Sequence, residues 1–316
     1  MTATSTRVTP VLDIGGTHVT GALVDLAAGQ VAPGTTSRRS LDGAAPARVL
    51  LDLIVSCAKD VAAPDGAAWG VAVPGPFDYG AGIARFEGVG KFDALNGVDV
   101  GAVLRRELPV EPRTVTFVND AIAFAIGEWA FGSGRGHDRM VGITLGTGVG
   151  SGFLDRGSSV ASGPRVPVRG EVYRLLIDER PLEDTVSRRA LLRDYAERRP
   201  ETPCLDVQDM AARADEGDSV ANQVLRNAFT RLGLALAPWL SRFGATALVV
   251  GGSMSRSWDL VHPALTAGIH ASPHEVPALG VFPARDSEGS ALLGAGWQAV
   301  RGDRPDDGEC TGVPAR

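Results

Sequence analysis

Apolar residues recur along the chain in short runs that break on glycine, and these runs set the expected elements. In residues 8–25 an apolar run leads into Asp13, a Gly-Gly-Thr turn follows, and a second run alternates ("PVLDIGGTHVTGALVD"), so two strands joined by a glycine turn are predicted. Residues 46–60 space Val49, Leu50, Leu53, Ile54 and Cys57 as one helical face. A short buried strand, "WGVAVPGPFD" (69–78), runs into a Pro-Gly-Pro loop, and another, "RTVTFVND" (113–120), ends at Asn119-Asp120. "AIAFAIGEWAFG" (121–132) is apolar all round and reads as a buried helix stopped by Gly132. A second glycine-tipped hairpin, "MVGITLGTGVGSGFLD" (140–155), repeats the layout of the first and suggests two similar half-units. The longest predicted helix covers 218–244, capped by Gly244, and Pro238 inside it should kink or divide it. "ATALVVGGSMS" (245–255) reads as a buried strand and "GSALLGAGWQAV" (289–300) as a final helix; residues 301–316 have no periodicity and read as a mobile tail.

Composition narrows the class. The 316 residues suffice for one large or two medium domains, and 44% hydrophobic with 22% charged residues is ordinary for a soluble globular protein. The net charge of −6 comes without a basic cluster, which argues against a nucleic-acid partner. Cys57, Cys204 and Cys310 lie far apart and form no CxxC pair, so neither a disulfide framework nor a cysteine zinc site is predicted. No run approaches 18 apolar residues and no signal peptide is apparent, so no membrane association and a cytoplasmic location are expected.

The glycine turns carry the candidate chemistry. Backbone N–H groups converge on an anion only where no side chain blocks approach. Asp13, Gly15, Gly16 and Thr17 supply such a turn with a hydroxyl and a carboxylate. A lone carboxylate repels phosphate unless a cation such as Mg²⁺ lies between them. Taken alone, Asp-x-Gly-Gly is equally good turn chemistry. Gly146-Thr147-Gly148 and Gly251-Gly252 carry the same ambiguity, but three such turns, each after an apolar strand, favour a phosphate cradle. Asp120 is either the cap of the helix that follows or a general base for a hydroxyl.

The ordered set "LDIGGTHVTGALVD", "VAVPGPFD", "FVNDAIAFAIGE", "LGTGVGSGFLDRG", "RGEVYRL", "VVGGSMS" and "ALLGAGW" resembles the ROK family of repressors, open reading frames and sugar kinases. The resemblance covers about residues 8–300. It implies an α/β, two-domain actin-like ATPase (ribonuclease H-like) fold with an interdomain cleft, binding ATP and a polyol. One lobe would span 8–118 with the helix at 289–300, the other 119–288. It further implies Asp13 near Mg²⁺, with Gly15, Gly16 and Thr17 near the phosphates. Thr147 and Gly148 would form a second phosphate loop and Gly252 would approach the nucleoside. Asn119 and Asp120 would hold substrate hydroxyls, with Asp120 as base, and Glu171, Gly75 and the loop "GVGKFDALNG" would line the same pocket. A homodimer is implied as well.

The departures bear on the substrate. Where the family has Gly-Glu-x-Gly-His, this chain reads "GEVYRL", with Tyr173 and Arg174 in place of Gly and His. The cysteine segment that binds structural zinc in the family is missing, so no zinc is expected. The lost His normally reads hydroxyls beside the anomeric carbon, so the accepted ring should change. Arg174 becomes either a substrate contact or a solvated loop residue. A C7-cyclitol such as valiolone or valienol, phosphorylated on its primary hydroxyl, is compatible. The alternatives are a glucokinase or N-acetylhexosamine kinase proper, or a non-catalytic sugar sensor or scaffold. The sensor reading is disfavoured because the first strand starts near Val8, leaving no room for a DNA-binding module.

Overall fold

The computed structural model describes residues 8–108, 112–204 and 206–302. Apart from Arg301 and Gly302, the tail expected at 301–316 lies outside the described residues. The chain forms two compact units: residues up to Phe131 joined by those from Glu288 onward, and Gly132–Ser287.

The first unit starts with β1 (Val8–Ile14) and β2 (His18–Asp25), paired antiparallel from Val8↔Asp25 to Ile14↔Val19, the predicted hairpin. Short β3 (Gln30–Val31) and β4 (Ser37–Ser40) both pair with β2, and α1 (Ala47–Asp60) starts behind Pro46. β5 (Ala68–Val73) lies parallel to β1. A two-residue ribbon, β6 (Phe77–Asp78) with β7 (Ile83–Ala84), precedes α2 (Val100–Glu107). β8 (Thr114–Asn119) runs parallel to β5 and leads without a loop into α3 (Asp120–Phe131). The sheet order is β3-β2-β1-β5-β8.

Alternation along β1 separates two cores. Leu12 and Ile14 pack with Leu50 and Ile54 of α1 and Leu104 of α2, whereas Val11 faces Ala123 of α3 and Leu292, Leu293 and Ala295 of the C-terminal helix. That helix runs Ser287–Gly302, longer than the predicted 289–300. It crosses α3 at backbone contact. A Cβ at Gly127 would lie 1.9 Å from the Ser290 carbonyl oxygen, and one at Gly294 would lie 1.8 Å from that of Ala123. Buried Ser290 also donates its hydroxyl to Glu128 Oε1 at 2.6 Å. This crossing ties α3 to the first unit, so the division falls after Phe131 rather than after residue 118.

The second unit repeats the plan. β9 (Arg139–Leu145) and β10 (Val149–Asp155) form an antiparallel hairpin, with β11 (Ser158–Ser159) on its outer edge. A small ribbon, β12 (Leu176–Ile177) with β13 (Arg180–Pro181), precedes α4 (Glu183–Val186), α5 (Arg188–Arg198), α6 (Val207–Asp215) and α7 (Ser219–Phe243). β14 (Ala247–Gly251) then lies parallel to β9, followed by α8 (Trp258–Ala271) and the parallel strand β15 (Gly280–Pro283). The order β11-β10-β9-β14-β15 is, by position in the chain, the order of the first sheet. The half-units read from the two hairpins therefore share a topology.

Two expectations are corrected. Pro238 does not divide α7, which runs unbroken to Gly244 in the left-handed region (φ 69°). The carbonyl it strips of a partner belongs to Leu234, and the neighbouring Leu236, Ala237 and Leu240 are buried in the core that holds the helix through this point. The strand expected over 245–255 stops at Gly251, because Gly252 turns at φ 87° and Ser253–Ser257 coil into a 3-10 turn.

Candidate functional site

In the first unit the candidate residues gather where parallel strands end. Asp13 on β1 is in register with Ala72 of β5, which is in register with Val118 of β8. Asn119 and Asp120 therefore emerge beside Asp13 at the carboxyl edge of the sheet, the usual ligand edge of such sheets. Gly75, joined to Pro76 by a cis peptide, follows β5 at the same edge. A Cβ on Gly75 would lie 3.3 Å from the Tyr79 hydroxyl, and Asn119 Nδ2 donates to that hydroxyl at 3.1 Å.

The cap at the start of α3 is mainly the work of Asn119. Its Oδ1 accepts from the N–H groups of Ala121 (3.0 Å) and Ile122 (3.2 Å). Asp120 accepts from Ala121 N–H at 2.9 Å, so its carboxylate is oriented by the helix start without being consumed by it. Burial raises the Asp120 carboxyl above the usual range, while the Lys91 ammonium and the bonds from Ala121 and Asn119 pull it back. Asp13 is pushed up to about 7, first by burial, then by the charges of Asp120 and Glu288, against the opposing Arg38. Arg38 and Glu288 pair with each other at 2.7 Å.

The turn after β1 divides its donors. Gly15 N–H is committed to the His18 carbonyl at 2.8 Å, so Gly15 shapes the turn instead of donating outward. The N–H groups of exposed Gly16 and Thr17 have no partner among the described residues. The Thr17 hydroxyl meets His18 Nδ1 at 2.8 Å. Lys91 passes alongside this turn: a Cβ at Gly43 would lie 3.2 Å from Lys91 Cβ, and one at Gly16 would lie 3.9 Å from its Cδ.

In the second unit the turn between β9 and β10 is closed by Gly146 N–H on the Gly148 carbonyl (3.0 Å), and Arg188 N–H bonds the Gly146 carbonyl (3.0 Å). The N–H groups of Thr147 and Gly148 again have no partner among the described residues. Glu183 stands against this turn, its Oε1 2.9 Å from where a Gly148 Cβ would be. Gly252 follows β14 at the same sheet edge; a Cβ there would lie 2.2 Å from the Leu145 carbonyl oxygen, so no other residue fits. Farther along, Ser151 on β10 donates to the Gly170 carbonyl (2.6 Å) and accepts from Val172 N–H (3.1 Å), pinning both neighbours of Glu171. Arg174 Nε donates to Glu171 Oε2 at 2.6 Å and to the Tyr173 hydroxyl at 3.0 Å, with its guanidinium over the Tyr173 ring. Arg174 is thus neither solitary nor free: it clamps Glu171.

The family model for the ROK family matches residues 10–171 and 178–301. The chain belongs to the ROK family. The short unmatched interval, 172–177, falls on the altered segment after Glu171. A glucokinase of Thermotoga maritima is 26% identical over 252 residues, covering 72% of this chain and 77% of that protein. Among solved structures, a Streptomyces griseus ROK glucokinase in complex with glucose and AMPPNP superposes with a TM-score of 0.75 at 24% identity, over 93% of this chain and 100% of that one. The Thermus thermophilus ROK hexokinase gives 0.73 at 21% identity, over 94% and 99%. These likenesses establish the ROK fold, the actin-like ATPase plan expected from the sequence motifs.

Four residues beside the candidate groups carry no mark in the sequence pattern. Tyr79 braces Asn119, Arg38 and Glu288 frame Asp13, and Lys91, within the loop "GVGKFDALNG", faces Asp120. For Lys91 a signal existed: it is one of only two lysines among 31 basic residues.

Proposed function

We propose that this ROK-family chain is an ATP-dependent kinase that phosphorylates a hydroxyl of a sugar or sugar-like ring, with Asp120 as general base. The observation that carries this reading is the placing of Asp120 at the carboxyl edge of the parallel strands, its carboxylate oriented by Ala121 N–H while Asn119 takes the capping role. An ionised Asp120 accepts the proton of the acceptor hydroxyl as its oxygen attacks the γ-phosphorus. The N-terminus of α3 and Lys91 favour the ionised form that this step needs. The N–H groups of Gly16, Thr17, Thr147 and Gly148, unpartnered among the described residues, are suited to phosphate oxygens.

Asp13 fits a carboxylate on the metal side of a nucleotide, because burial and two neighbouring carboxylates leave its charge uncompensated. Among the described residues no three His, Cys, Asp or Glu side chains converge as a metal cage. Mg²⁺ does not require one, since it keeps several waters and uses one or two carboxylates with substrate phosphates. When bound, Mg²⁺ would neutralise charge on the phosphates.

For the acceptor, Glu171 held by Arg174 replaces the Glu and His of the family pattern. Arg174 and the Tyr173 hydroxyl both bond the Glu171 carboxylate, which fixes its orientation toward a substrate hydroxyl. Because the His that the family pattern places after Glu171 is replaced by Arg174, the acceptor we propose is a C7-cyclitol phosphorylated on its primary alcohol, with glucose as the alternative. A coupled ADP-release assay against hexoses, N-acetylhexosamines and C7-cyclitols tests it. Turnover should require Mg²⁺ and be fastest with a cyclitol; fastest turnover with glucose would return the chain to the glucokinases, and no stimulation by any acceptor would end the kinase reading.

A further inference from the structure

Lys91 is held in place by its surroundings. The N–H of the next residue, Phe92, bonds the Gly43 carbonyl at 2.7 Å, and Phe92 is wholly buried at φ 58°. Asp93 accepts from Val89 (3.0 Å) and Gly90 (3.2 Å), closing the loop in front of Lys91. The aliphatic stem of Lys91 passes between Gly43 and Gly16, where any larger side chain at Gly43 would crowd it. Lys91, a half-buried residue, has no carboxylate within ion-pair distance of its ammonium among the described residues, whereas the other lysine, Lys59, faces Glu107 at 3.9 Å. A cation anchored on the turn after β1, within electrostatic reach of Asp120 and with no ion-pair partner among the described residues, is placed to receive an anion between those two points.

We propose that Lys91 binds the γ-phosphoryl group during its transfer, so that its ammonium offsets charge on the equatorial oxygens while Asp120 takes the acceptor proton. This inference rests on the kinase reading. In the step, the acceptor oxygen forms a bond to the γ-phosphorus, the bond from that phosphorus to the β–γ bridging oxygen breaks, and ADP leaves with the electron pair. The acceptor proton ends on Asp120, and Lys91 keeps its own protons throughout. A lysine ammonium binds phosphate as a point charge without a fixed fork geometry, and Lys91 is one of two lysines in a chain that otherwise uses arginine.

The test compares wild type, Lys91→Met and Lys91→Arg, each with Mg²⁺ and ADP, with and without aluminium fluoride as a mimic of the phosphoryl group in flight. Wild type should bind ADP with aluminium fluoride at least about tenfold tighter than ADP alone. Lys91→Met should lose that gain, keep its ADP affinity within about threefold, and turn over its best acceptor about 100-fold more slowly at a nearly unchanged acceptor KM. Lys91→Arg should recover part of both. A Lys91→Met protein that keeps the aluminium fluoride gain overturns the proposal, as does a loss confined to acceptor KM or a wild type with no gain. A wild type that shows the gain but phosphorylates no acceptor would refute the acceptor assignment and leave the role of Lys91 standing.

Discussion

Asp13→Asn removes a carboxyl that the fold pushes up to about 7 from an ordinary value of 3.8. Between those two values the folded protein keeps a proton that the unfolded chain has already released. Stability must therefore fall as pH rises through that window, and the penalty is complete above about pH 7. About three pH units at about 1.4 kcal/mol each set an upper bound of about 4 kcal/mol. Relaxation and charge sharing with Asp120 and Glu288 reduce the measurable part to about 1–2 kcal/mol. At about 2–4 °C per kcal/mol, the nucleotide-free Asp13→Asn variant should melt about 2–8 °C above wild type at pH 8 and only about 1–3 °C above it at pH 5. Thermal melts at both pH values, without Mg²⁺ or nucleotide, make the comparison. Adding Mg²⁺ and ATP at pH 8 should reverse the order, because only the carboxylate gains from the metal. The same difference at both pH values, or a less stable variant at pH 8, would refute the assignment of Asp13 as an uncompensated carboxylate.

Other consequences follow from local geometry. Gly252→Ala forces a Cβ to 2.2 Å from a backbone oxygen at a φ of 87°, and chemical denaturation should show a loss of about 3 kcal/mol or more. Arg174→Ala frees Glu171 without touching the core, since Arg174 is 59% exposed. Its melting temperature should stay near that of wild type while acceptor KM rises about tenfold and the ranking of acceptors changes, read by the ADP-release assay. An unchanged ranking would show that Arg174 does not help select the ring.

Much of the fold is legible because both hairpins are short apolar runs that break at glycine. "LDIGGT" and "LGTGVG" announce both turns, and the apolar face of Leu50, Ile54 and Cys57 announces α1. The unit boundary is not legible. It depends on Gly127 and Gly294 letting α3 and the C-terminal helix touch, residues far apart in the chain whose contact no local pattern encodes. Pro238 misleads because core packing by Leu236, Ala237 and Leu240 on either side carries α7 past it, and that packing is tertiary. At the site, Asp13 and Asp120 meet only through the parallel pairing of β1, β5 and β8, yet each is visible as the polar end of an apolar run. Lys91 and Tyr79 sit in irregular loops without periodicity, so their relation to Asp120 and Asn119 exists only in the tertiary structure.

The base assignment is the centre of the account, and Asp120→Asn tests it most directly. Asparagine keeps the oxygen that accepts from Ala121 N–H, so the start of α3 should survive. With a polyol identified by the acceptor screen, single-turnover transfer from ATP should slow by about 10²–10⁴-fold while the dissociation constant of the polyol stays within about threefold. Transfer at a near-normal rate with intact binding would contradict the account, because the proton would then leave by a route that does not involve Asp120.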